Sequence, residues 1–199
     1  MISRRRVRGR FDSIPILSTI DDHRGEVTAV RGVLNGTSNY ILSRMGTEGL
    51  EYEHILAEAQ DMGVAESDPS FDVQGTDTAL KCAILANVLR TEDFTLGDVE
   101  VEGIEDLPGS ALDVAARDGQ TIRLLGEVPA DGQIRVGPRL VSESSPLAIT
   151  GSKNVAQLRT TYAGAITLTG AGAGGDETAS AVLTDVHRLE LLESGVSPR

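Results

Sequence analysis

Hydrophobic positions along this chain change their period partway through: up to about residue 118 they recur mostly at helical spacing, and from 121 onward they alternate. IPILSTIDD (14–22) reads as a short helix started by Pro15, and EVTAVRGVL (26–34) alternates as a strand. Asn35-Gly36-Thr37-Ser38 predicts a turn and cap, with a helix following from about 39 to 45. EYEHILAEAQD (51–61) carries Ile55, Leu56 and Ala59 on one inner face. After the polar stretch 63–76 a long helix runs to about Arg90, and its predicted apolar face is Leu80, Ile84, Leu85 and Val88. A short strand over 98–104 and a capped helix over 108–118, closed by Gly119, complete the first part.

In the second part, TIRLLGEV (121–128) and IRVGPRLV (134–141) flank Pro129-Ala130-Asp131-Gly132-Gln133, which is hairpin chemistry. A second hairpin pairs 155–162 with 165–169 through Ala163-Gly164, and a final amphipathic helix is expected over 177–192. Helices followed by strands predict an α+β fold with a mainly antiparallel (mixed) sheet covered by helices on one face.

Composition narrows the function classes. At 199 residues and 40% hydrophobic content the chain can bury a substantial core. A net charge of −12 and a pI near 4.6 argue against a nucleic-acid partner, and the basic run 4–10 reads as a solvated terminus. Lys81 and Lys153 are the only lysines, against 30 acidic residues, a balance that suits a high-salt cytoplasm. One cysteine, Cys82, excludes an internal disulfide and a cysteine-based zinc cluster, and its place on an apolar helix makes it a small buried hydrophobe. His23, His54 and His187 lack metal-ligand spacing. There is no long apolar stretch and no secretory leader pattern, so no membrane partner and a cytoplasmic location are expected.

The charged run GVAESDPSFDVQGTDTALK (63–81) carries the candidate chemistry. Asp77 and Lys81 lie one helical turn apart, which as a solvated pair is worth only about 0.3–0.5 kcal/mol. The residues after Lys81 are apolar, however, and an ammonium at the mouth of a buried helix needs carboxylates such as Glu66, Asp68, Asp72 or Asp77. A structural ion pair and a polar site both remain open on spacing. The run Gly170 to Gly175 formally satisfies G-x-G-x-x-G but has no second strand after it, so it reads as a glycine loop able to approach an anion and not as a self-sufficient dinucleotide site.

Four motifs in order, RGVLNGTSNYIL (31–42), LAEAQDMGVAESDPSFDVQGTDTALKCAIL (56–85), VEGIEDL (101–107) and TGAGAGGDETASAVLTD (169–185), resemble the homoserine dehydrogenase family over about residues 13–188. The resemblance implies the fold of that family's catalytic domain over 13–193, with 1–12 a disordered or degenerate remnant of an interdomain link and 194–199 a tail. It implies oxidation of L-homoserine to aspartate 4-semialdehyde, or the reverse reduction, with NAD(P), on the route to threonine and methionine. Lys81 would be the general acid/base. Glu66 would bind the substrate ammonium, Asp77 would assist with Asp72 close by, and Gly36 and Thr37 would line the substrate site. Gly63, Gly172 and Gly174 would lie against the cofactor.

The same comparison shows departures. The family's amino-terminal nucleotide-binding half has no counterpart before residue 13, so the resemblance implies that NAD(P) is bound mainly by a domain absent from this chain, with a separately encoded NAD(P)-binding chain as a candidate partner. The family's glycine-rich link is replaced by Arg10-Phe11-Asp12-Ser13, and its acidic cation ligand would fall on Val7, so no metal is expected. Val64 stands where an aromatic residue is common. A homodimer is implied, and the isolated chain is expected to be inactive. The alternative is a non-catalytic dimerising or regulatory module, or the remnant of a disrupted gene.

Overall fold

The computed structural model describes residues 14–172 and, beyond them, 174–176, 179, 180, 182–184 and 186. Their elements follow in the order α1 (Ile16–Asp22), β1 (Val27–Val33), α2 (Gly36–Glu48), α3 (Tyr52–Asp61), α4 (Ser70–Val73), α5 (Thr76–Leu89), β2 (Val99–Val101), α6 (Gly109–Arg117), β3 (Gln120–Pro129), β4 (Ile134–Ser142), β5 (Lys153–Thr160) and β6 (Ala165–Ala171). The six strands form one sheet in the order β2-β4-β3-β1-β5-β6. All neighbours are antiparallel except β2, which runs parallel to β4 at one edge. This is the mixed, mainly antiparallel α+β sheet that the hydrophobic pattern predicts.

The helices cover one face. Val30, Ile122, Leu124, Val128, Ala156 and Leu158 point into the main core with Ile41, Leu42, Met45, Ile55 and Leu85 from the helices. The alternate residues Val33, Leu125, Val141 and Val155 point to the other face, where Leu147 closes a smaller cluster. The expected hairpins form with the expected turns, Arg123 opposite Arg139 in one and Gln157 opposite Thr167 in the other.

Two helices differ from the sequence reading. The turn 35–38 is the first turn of α2 itself: Asn35 is extended, its Oδ1 accepts from the Ser38 N–H at 2.9 Å, and the helix runs on to a left-handed Gly49. In α5 the buried residues are Thr78, Ala79, Cys82, Ala83, Leu85 and Ala86, whereas Leu80 and Ile84 are 38% and 42% exposed. The physical reason is close approach. A Cβ on Gly126 of β3 would overlap the Cys82 sulfur, so α5 lies on the sheet through small residues beside Leu85, and Leu80 and Ile84 point away. The strand expected over 98–104 is only three residues long, preceded by a single 3-10 turn at Leu96–Asp98.

The described residues between 175 and 186 are helical, and the remainder of the helix expected over 177–192 lies outside the described residues. So do residues 1–13, with the basic run and Val7, and the tail 194–199.

Candidate functional site

The chain segments that carry the charged run meet at the carboxyl end of β1. Leu34 and Asn35 leave the strand and open α2, while Asp72 on α4 and Asp77 in the first turn of α5 face them. Asn35 Nδ2 donates to Asp72 Oδ1 at 2.7 Å and to Asp77 Oδ2 at 2.8 Å. Lys81 Nζ donates to the Leu34 carbonyl at 2.7 Å and pairs with Asp77 Oδ2 at 3.0 Å. The Asp77 and Lys81 side chains are 21% and 14% exposed, so the pair is set into the surface and is not the fully solvated helical pair that spacing alone allows.

Each partner has a local reason to be there. Asn35 is buried, and after its oxygen caps α2 its amide still carries two donors, which the two aspartates take. Asp77 sits at the start of α5, where a carboxylate also complements the helix dipole. Short α4 is tied down by the Ile104 N–H to the Val73 carbonyl at 2.9 Å, which fixes Asp72. The sequence predicts Asn35 as a turn and cap residue; its contacts to two carboxylates distant in the chain have no local signal.

The other predicted site residues divide. Gly36 is buried and Thr37 half-buried, both directly after Asn35. Gly172 comes against them: a Cβ there would stand 3.0 Å from the Gly36 Cα and 2.5 Å from the Ser152 carbonyl, and its own N–H donates to that carbonyl at 3.1 Å. The end of β6 is thus stitched to the start of α2. Glu66 is exposed, and among the described residues its carboxylate makes no hydrogen bond to the Lys81 cluster; Gln60 Nε2 holds its backbone carbonyl at 3.0 Å and that of Ser67 at 3.2 Å. Gly63, left-handed and exposed, closes the turn after α3, with nothing within 4 Å of the place a Cβ would occupy. Gly174 is exposed as well. Asp68 turns away from Lys81 and accepts from the backbone and hydroxyl of Ser70, which hold its carboxyl below the ordinary range.

Cys82, next to Lys81, is fully buried, and burial pushes its thiol up to about 12. It is a packing residue. Among the described residues no group of histidines, cysteines and carboxylates is arranged to hold a metal ion, and no helix is long and apolar enough to cross a membrane.

Chemically, the cluster presents a partly sheltered ammonium whose position is fixed by a carbonyl and by a carboxylate that is itself held. Such a group can give up or take a proton at an oxygen brought to it. Known proteins resemble this chain in sequence and in structure. A homoserine dehydrogenase from Methanocaldococcus jannaschii is 46% identical over 164 residues, covering 82% of this chain and 48% of the relative. The crystal structure of a homoserine dehydrogenase from Thiobacillus denitrificans superposes with a TM-score of 0.88 at 32% identity, over 94% of this chain and 44% of that one. A hyperthermophilic archaeal homoserine dehydrogenase mutant in complex with NADPH superposes with a TM-score of 0.79 at 33% identity, over 91% of this chain and 53% of that one. The chain therefore spans about half the length of the curated relatives it matches. The family model described as Homoserine dehydrogenase matches residues 15–187, and with the identity above this means that the chain belongs to the homoserine dehydrogenase family.

Proposed function

We propose that this chain supplies the substrate side of an NAD(P)-dependent homoserine dehydrogenase, with Lys81 as its general acid/base. The observation that carries the reading is the held pair Asp77 and Lys81, with Asn35 and the Leu34 carbonyl fixing both partners. In the reducing direction the Lys81 ammonium donates a proton to the oxygen of the semialdehyde as negative charge builds there; in the oxidising direction the amine takes the hydroxyl proton of L-homoserine. Asp77 and the Leu34 carbonyl hold the amine and aim it. The Glu66 carboxylate receives the substrate ammonium from the open side, and Asp72, Gly36 and Thr37 complete the pocket wall.

NAD(P), when bound, supplies or accepts the hydride. The residues present fit one edge of such a cofactor: Gly63 leaves open space where a flat group can approach, and Gly174 is exposed, whereas Gly172 is fully occupied in packing on Gly36 and Ser152. The main NAD(P)-binding part belongs to a domain these residues do not contain. Exposed Leu80 and Ile84, flanking Lys81 on α5, offer the apolar contact such a domain needs. The working form is a cytoplasmic homodimer.

The test is reconstitution. The chain is mixed with a separately produced NAD(P)-binding half of a relative and L-homoserine, and reduction of NAD or NADP is followed. Turnover that requires both parts supports the reading; binding of the two parts with no homoserine-dependent turnover contradicts it.

A further inference from the structure

A cavity of about 260 Å³ lies at the far end of α2 from Asn35, between α2, α6, the first residues of β3 and the segment after β4. Its walls include Ser43 and Thr47 of α2, Ala116 of α6, Thr121 and Arg123 of β3, and Glu143. Arg123 is the unusual member. It is 3% exposed, and its guanidinium has three hydrogen bonds, all to neutral oxygens: Nε to the Ile149 carbonyl at 2.8 Å, and Nη1 to Thr121 Oγ1 at 2.9 Å and the Ile122 carbonyl at 2.8 Å.

A guanidinium has five N–H donors, so these bonds use the single proton of Nε and both protons of Nη1. Both remaining donors are on Nη2. Among the described residues Nη2 has no hydrogen-bond partner and Arg123 has no ion pair, and Nη2 is not one of the side-chain atoms sealed from solvent. Desolvation without a counter-charge pushes Arg123 down to about 10. A buried cation so placed is costly to keep unless an anion can reach it.

We propose that this cavity is a binding site for a small monocarboxylate, one oxygen of which accepts from Arg123 Nη2. The volume admits several non-hydrogen atoms, given about 30 Å³ for a water. Because Nη1 is fully used, the contact is made through Nη2 alone and not through the two-nitrogen fork that suits carboxylate and phosphate alike, so charge selects between the two. Glu143 on the same wall repels a dianion more than a monoanion. The Thr121 hydroxyl, which accepts from Nη1 and donates to no other group among the described residues, can serve the second oxygen.

Acetate, inorganic phosphate and chloride at matched ionic strength are titrated into the full chain, with two-dimensional NMR following the Arg123 Nε–H and the surrounding amides. Acetate should saturate these shifts with a dissociation constant on the order of 1–10 mM. Arg123→Gln should abolish saturation. Ala116→Leu, which fills the cavity from an exposed helix position and leaves the guanidinium alone, should weaken it at least about tenfold. Glu143→Gln should tighten acetate by up to about fivefold. Phosphate binding as tightly as acetate, the same shifts with chloride, or saturation undisturbed by Ala116→Leu would each overturn the proposal.

Discussion

Asn35 Nδ2 lies 2.8 Å from Asp77 Oδ2, the same oxygen that stands 3.0 Å from Lys81 Nζ. One carboxylate oxygen thus receives both the amide that caps α2 and the ammonium of α5, so helix capping and site geometry are set by a single side chain. Asn35→Asp keeps the cap oxygen but places a third carboxylate against Asp72 and Asp77. It should cost about 1–3 kcal/mol near pH 7. The mutual repulsion raises the folded-state carboxyl pKa values, so the deficit relative to wild type should shrink as pH falls and the cluster protonates. Urea unfolding at pH 7 and pH 4.5 checks both points.

Gly126 and Cys82 set how closely α5 approaches the sheet. Gly126→Ala should destabilise by about 1–3 kcal/mol through overpacking. Cys82→Ala removes the sulfur that the new methyl would strike, so the double variant should recover part of that loss. A double-mutant cycle in chemical denaturation measures the coupling, and strict additivity would mean that the two residues do not meet.

Burial raises the Cys82 thiol from its ordinary value to about 12, which makes stability depend on alkaline pH. The unfolded thiol ionises near pH 8.5 while the folded one stays neutral. This contribution is fully present below about pH 8.5 and declines as pH rises toward the folded value. Cys82→Ala should therefore flatten the fall in stability between about pH 8.5 and 11. In the native protein the thiol should resist a water-soluble disulfide reagent until the chain is unfolded.

The two faces of α5 should respond differently to truncation. Leu85→Ala, in the core, should cost about 2–5 kcal/mol. Leu80→Ala and Ile84→Ala, on the exposed face, should each cost far less, within about 0.5–1 kcal/mol, and should weaken the complex with an NAD(P)-binding half. Thermal unfolding and a pull-down of the complementary half separate the two effects.

Much of this was legible in the chain. Two-residue alternation fixed β3, β4 and β5, because one strand face lies on the helices and the other beneath Leu147. The turn residues at 129–133 and 163–164 located the hairpins. The buried face of α5 does not follow apolar size, because a glycine on the facing strand favours Ala79, Cys82 and Ala83 and turns Leu80 and Ile84 outward. The pairing of Asp77 with Lys81 followed from helical spacing, but the role of Asn35 did not. Its second function depends on contacts to residues 37 and 42 positions away, and no local pattern carries that.

The most direct test of the account replaces Lys81 in the reconstituted enzyme and measures homoserine-dependent kcat beside the unfolding midpoint. Lys81→Met should lower kcat by about 10²–10⁴ in protein that remains folded, with a stability loss of no more than about 1–3 kcal/mol for the partners left unpaired. Near-normal turnover, or turnover lost only in proportion to unfolding, would make the pair of Asp77 and Lys81 a structural ion pair and would contradict the assignment.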